Sequence, residues 1–125
     1  MELKEGLMFE QSTIVTPDMS AIKVGSGLVD VLATPAMIAF VEKVCSEAIM
    51  PYLQPNEVSV GLEVNTRHVA ASKIGSKITC KARINQIVKN RIAFSVAIYE
   101  GEKIIGMIGH IRCVVDKQKF LDKLK

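Results

Sequence analysis

Three polar residues fall where the apolar pattern of the chain does not ask for them: Thr34 opening a long apolar run, Glu42 within it, and His68 closing an alternating stretch. A hydroxyl, a carboxylate and an imidazole can together deliver water or a carboxylate to an activated carbonyl and carry the protons that move. A carboxylate on an apolar helix flank is poorly solvated, which suits a base or a nucleophile. Unpaired N–H groups at a helix start lie at the positive end of the helix dipole and can bind an oxyanion. Pro35 donates nothing, which leaves Ala36 and Met37 as candidate donors. Each residue alone has a plainer account: a helix cap for Thr34, a boundary carboxylate reaching water for Glu42, a hydrogen-bonded loop residue for His68. Their convergence favours thioester-type hydrolysis, which asks for these groups and no metal.

These side chains need elements to hold them. Thr34 offers an N-cap hydroxyl and Pro35 the fixed φ of a first helical position, so a helix begins here and runs to about Met50, where Pro51 stops it. Met37, Val41, Val44, Cys45 and Ala48 recur on one apolar face. Lys43, Ser46 and Glu47 form a narrow polar strip, and Glu42 projects away from it, beside Ile38 and Ile49. In one continuous helix Thr34 and Glu42 lie roughly 12 Å apart along the axis. Either the helix start is irregular, or Glu42 works beside groups of a second chain, the reading we favour.

The rest of the chain alternates with period two. Phe9 to Val15 reads as a first strand, Thr16-Pro17-Asp18 as a polar turn, and Gly25-Ser26-Gly27 as a flexible approach to the helix. After the helix, Val58, Val60, Leu62 and Val64 share one face of a strand, and His68 has their parity, so its ring should point toward the helix. Ile78, Cys80, Ala82 and Ile84 share a face of the next strand; Lys89-Asn90 turns it into the set Ile92, Phe94, Val96 and Ile98. Glu100-Gly101-Glu102 leads into a last strand through Val115, whose apolar run from Ile104 to Met107 predicts cover on both faces. One greasy helix beside antiparallel hairpins is best buried by wrapping the sheet around it, an α+β hotdog arrangement.

The stretch Asp30-Val31-Leu32-Ala33-Thr34-Pro35-Ala36-Met37, the acid at Glu42, and Arg67-His68-Val69-Ala70-Ala71-Ser72 followed by Gly75 resemble the fluoroacetyl-coenzyme A thioesterase family of hotdog proteins. The resemblance runs from about Phe9 to Asp116. It implies hydrolysis of small acyl-coenzyme A thioesters to free acid and coenzyme A, with Thr34, Glu42 and His68 as the catalytic set. Gly61 matches a glycine of the strand beside the site. Fluoroacetyl-specific members carry aromatic residues just before the helix where this chain has Gly25 and Leu28, so the acyl group stays open.

Composition sets the outer bounds. A chain of 125 residues fits one domain spanning 1–125, and 49% hydrophobic with 23% charged residues is ordinary globular usage. Aromatics are 5% with no Trp, and the net charge of +3 is interspersed rather than striped, so nucleic acid is not an expected partner. Cys45, Cys80 and Cys113 sit singly in apolar stretches, as in a reduced cytoplasmic protein. The charged opening Met1-Glu2-Leu3-Lys4-Glu5 and the lack of a long apolar run argue against a signal peptide or membrane span. His68 and His110 are the only histidines and the cysteines lack ligand spacing, so neither metal nor cofactor is expected. Arg112 shares the parity of His110 and could meet a substrate phosphate or Glu42, with a surface strand charge as the plainer account; Lys73 and Lys77 flank Gly75 and could meet phosphates. An edge strand and a cleft needing cover predict a homodimer. The competing reading is a hotdog module that binds or senses acyl-coenzyme A without cleaving it; an enoyl-thioester hydratase is weaker, for want of an acid and histidine on one loop.

Overall fold

The computed structural model describes residues 2–125. Strand β1 (Met8–Ile14) is followed by a short helix α1 (Ala21–Val24) and the long helix α2 (Thr34–Ile49). Strands β2 (Glu57–His68), β3 (Lys77–Val88), β4 (Arg91–Glu100) and β5 (Lys103–Asp116) come next, and α3 (Lys117–Asp122) closes the chain. The strands form one sheet in the order β1-β3-β4-β5-β2, antiparallel throughout. With α2 packed on its inner face, this is the α+β hotdog fold.

Alternation explains most of the core. Ile78, Cys80, Ala82 and Ile84 on β3 and Ile92, Phe94, Val96 and Ile98 on β4 are all buried, facing Met37, Phe40, Val41, Val44, Cys45 and Ile49 of α2. The helix stops at Ile49 and tightens into a 3-10 turn over Met50–Tyr52, as a proline at position 51 dictates. Ala39, Lys43 and Glu47 remain exposed, four residues apart, so one stripe of α2 stays outside the sheet. The β3–β4 turn has Lys89 in the left-handed region at φ 57°, and the Asn90 side chain ties it to the Val114 carbonyl on β5.

Of three register slips in the sheet, the one on β3 lies beyond Ile84 and leaves its apolar set intact, and the other two overturn simple parity. On β2 the register slips between Gly61 and Glu63, leaving Leu62 as the extra residue, half exposed. Val58 and Val60 therefore pair with Val115 and Cys113 on the outer face, whereas Ser59, Gly61, Val64, Thr66 and His68 pair with the inward residues of β5. The expected shared face of Val58, Val60, Leu62 and Val64 does not exist, yet His68 still faces the helix because it lies beyond the bulge. On β5 the slip opposite Ile98 and Tyr99 turns Ile105 inward and leaves Ile104 and Met107 exposed on the outer face. Cover on both faces, expected for that run, is absent within one chain.

The connection before α2 is also more built than expected. Ser20 caps α1 by accepting from the Lys23 N–H at 3.1 Å. Gly25 ends it at φ 85°, and the N–H groups of Gly25, Ser26 and Gly27 all converge on the Ala21 carbonyl. Gly25-Ser26-Gly27 is thus a hydrogen-bonded helix terminus rather than an open tether.

Candidate active site

Thr34 and His68 meet. The Thr34 hydroxyl lies 2.8 Å from His68 Nδ1, joining the start of α2 to the end of β2. Thr34 is not the N-cap: Ala33 holds that place in extended conformation, without a side-chain cap bond, and Thr34 is already helical. Its hydroxyl is thereby free of the helix and available to the imidazole. His68 is held from below, paired with Gly106, while the Val69 and Ala70 N–H groups both donate to the Ile105 carbonyl. Burial keeps the His68 ring below the ordinary imidazole range, partly opposed by the Ala70 backbone. Its buried Nε2 has no hydrogen-bond partner among the described residues.

Of the two N–H groups expected to face an oxyanion, that of Met37 is taken by the helix. The Met37 N–H donates to the Ala33 carbonyl at 3.0 Å and its side chain is fully buried, packed so closely over Gly106 that a Cβ there would come within 2.7 Å of its sulfur. Met37 is a core residue, used up as a donor by the helix itself. The N–H groups of Ala36 and of Thr34 keep no backbone partner among the described residues and point out of the helix start. Thr34 as a donor escaped the sequence reading because it had been placed one position too early. A cleft of about 320 Å³ opens here, lined by Thr34, His68 and the small residues Ala21, Ala33, Ala70 and Ala71.

Glu42 occupies a second cluster, two turns further along α2. Its Oε2 lies 3.6 Å from Arg112 Nη1, and its side chain remains 40% exposed where that of Arg112 is 7% exposed. Arg112 is therefore no surface strand charge. The bulge has turned the Gly61 and Ser59 side of β2 toward it, and Arg112 donates through Nε to Ser59 Oγ at 2.8 Å and through Nη2 to the Ser59 carbonyl at 3.1 Å. Burial lowers the guanidinium from its usual range, with Glu42 as the main opposing influence. Gly61 is required beneath the carboxylate: a Cβ there would overlap Glu42 Oε2 and stand 3.6 Å from His110 Cε1. Within one chain no contact joins Glu42 to the Thr34–His68 pair among the described residues. Ser59 went unnoticed as a partner because its inward direction depends on the Leu62 bulge, whereas His110, on β5, faces inward with Arg112 as their shared parity indicates.

Lys73 and Lys77 are exposed on either side of Gly75, whose φ is 95°. The thiols of Cys45 and Cys80 are pushed up to about 12 by burial, which leaves them protonated and inert.

Residues 15–118 match the model of the fluoroacetyl-CoA-specific thioesterase family. The chain belongs to that family. It is 32% identical over 96 residues, 77% of this chain and 69% of the relative, to a fluoroacetyl-CoA thioesterase of Streptantibioticus cattleyicolor. The solved fluoroacetyl-CoA thioesterase superposes with a TM-score of 0.94 at 27% identity, covering 99% of this chain and 96% of that one. A variant of that enzyme crystallised with fluoroacetate and CoA superposes at a TM-score of 0.87 and 27% identity, over 94% of this chain and 99% of that one. As a fluoroacetyl-CoA thioesterase family member, the chain is a thioester hydrolase. No helix among the described residues is long and apolar enough to cross a membrane.

Proposed function

We propose that this chain hydrolyses small acyl-coenzyme A thioesters as a homodimer, using Thr34, Glu42 and His68 without a metal. The observation that carries the reading is the 2.8 Å contact of Thr34 with His68 beside two free helix N–H groups. A thioester carbonyl seated at the start of α2 would place its oxygen against the Thr34 and Ala36 N–H groups, which match the charge that develops in a tetrahedral intermediate. His68, half-buried, is the proton carrier: where Glu42 draws the proton from attacking water, His68 relays it to the departing thiolate; where Glu42 has formed an anhydride and the thiol has already left, His68 takes the proton of the water that opens it and releases it to solvent. Glu42 is either the base that activates water or the nucleophile itself; both assignments use the same carboxylate.

Two features favour a dimer. The Glu42 carboxylate is displaced along α2 from the Thr34–His68 pair, and β2 is an edge strand with Leu62 exposed along it and Val69 exposed just beyond its end. Pairing through β2 lets Glu42 of one protomer serve Thr34 and His68 of its partner across a two-fold axis. The cleft walls of Ala21, Ala33, Ala70 and Ala71 suit a short acyl group. Lys73 and Lys77, exposed on either side of Gly75, could meet the coenzyme A phosphates.

A panel of acyl-coenzyme A thioesters of rising chain length, followed by free-thiol release, tests this. Turnover should be greatest for the shortest acyl groups. Binding of acyl-coenzyme A without thiol release from any member of the panel would instead make the protein a sensor.

A further inference from the structure

His110 takes no part in the reaction as described, yet it is among the most buried polar residues, 1% exposed on the inner face of β5. It lies on β5 between Val64 of β2 and Phe94 of β4, stacked on the Phe94 ring with centroids 6.2 Å apart. Its two nitrogens face partners of opposite kind. Nδ1 is 2.8 Å from the Glu63 carbonyl, which can only accept, so Nδ1 carries the proton. Nε2 is 3.1 Å from Arg112 Nη1, which can only donate, so Nε2 presents its lone pair. The neutral Nδ1–H tautomer satisfies both contacts at once; the other tautomer and the imidazolium each set two N–H groups against one another.

We propose that His110 is a positioning residue for the reaction: it fixes the Arg112 guanidinium, which in turn holds the Glu42 carboxylate over Gly61. The guanidinium is pinned on three sides, at Nε and Nη2 by Ser59 and at Nη1 by His110. Nη1 is also the atom nearest Glu42. Without the imidazole lone pair, Nη1 has only the carboxylate to turn to, and the 3.6 Å ion pair collapses toward a direct hydrogen bond. A carboxylate drawn into that bond is a weaker base and a weaker nucleophile. The charged and titratable groups facing this cluster are Arg112 on the same strand and Glu42 and Cys45 on α2; β2 contributes the Glu63 backbone and β4 the Phe94 ring.

The inference rests on the reading of Glu42 as base or nucleophile, and its test separates the two. His110→Leu keeps the bulk and removes both nitrogens, whereas His110→Gln can still donate to the Glu63 carbonyl and accept from Arg112. In the leucine variant kcat should fall about 10-fold or more with KM changed no more than about twofold, since the interaction acts on the chemical step rather than on binding. Glutamine should recover most of that loss. A folded leucine variant with wild-type kcat, or a glutamine variant as impaired as the leucine one, overturns the proposal. Should the leucine variant not fold, 15N NMR of the labelled wild-type protein decides: a neutral His110 protonated at Nδ1 is expected at pH 7, and an Nε2–H tautomer or an imidazolium overturns it. Loss of turnover in Glu42→Gln together with an indifferent His110→Leu would remove only the role of His110; an indifferent Glu42→Gln would remove the reading beneath it.

Discussion

The space above Gly61 decides where a carboxylate can sit. A methyl group at this position of β2 would overlap the Glu42 carboxylate oxygen, while standing only in ordinary contact with the His110 ring. Gly61→Ala should therefore displace Glu42 while leaving the Thr34–His68 contact intact. We expect kcat to fall on the order of 10- to 100-fold, the scale of a misplaced reacting group. Circular dichroism should show a folded protein, and kcat equal to wild type would show that Glu42 needs no such seat. At this scale the sequence reveals the residue that is unusual for its surroundings. Thr34, Glu42 and His68 stood out as polar residues in apolar company, and Gly61 through family resemblance. Ser59 and the Glu63 carbonyl did not, since an ordinary serine and a backbone oxygen carry no mark until a bulge turns them inward.

Among the elements, periodicity told most about β3, β4 and α2, whose apolar positions are the buried ones. It failed at the bulges, because one extra residue in a strand inverts every later assignment by parity. The direction of His68 came out right only because Leu62 restored the parity that Val58 and Val60 had lost relative to the core. The start of α2 was misplaced by a single position, and that shift matters chemically. With Ala33 as N-cap, the Thr34 hydroxyl is released to His68 and its N–H is left without a backbone partner, free for the oxyanion role proposed above. Helix α1 was missed outright: four residues between a serine cap and a glycine terminus are too short for periodicity to register.

The molecule as a whole holds the proposed catalytic groups at two places along one helix, Thr34 with His68 at the start and Glu42 with Arg112 two turns on. If a two-fold axis joins them across protomers, two inactive variants should rescue one another. Glu42→Gln and His68→Ala, co-refolded in equal amounts, should regain about a quarter of wild-type activity, because half the dimers are mixed and each of those has one intact site. No recovery, with mixed dimers shown to form, would place all three residues in one protomer's site. The most direct test of the central claim is free-thiol release from acetyl-coenzyme A by each of these variants alone, alongside its melting temperature. Folded Glu42→Gln and His68→Ala proteins should each show kcat lowered by roughly 100-fold or more, the scale of lost general acid–base catalysis; wild-type turnover in either one would contradict it.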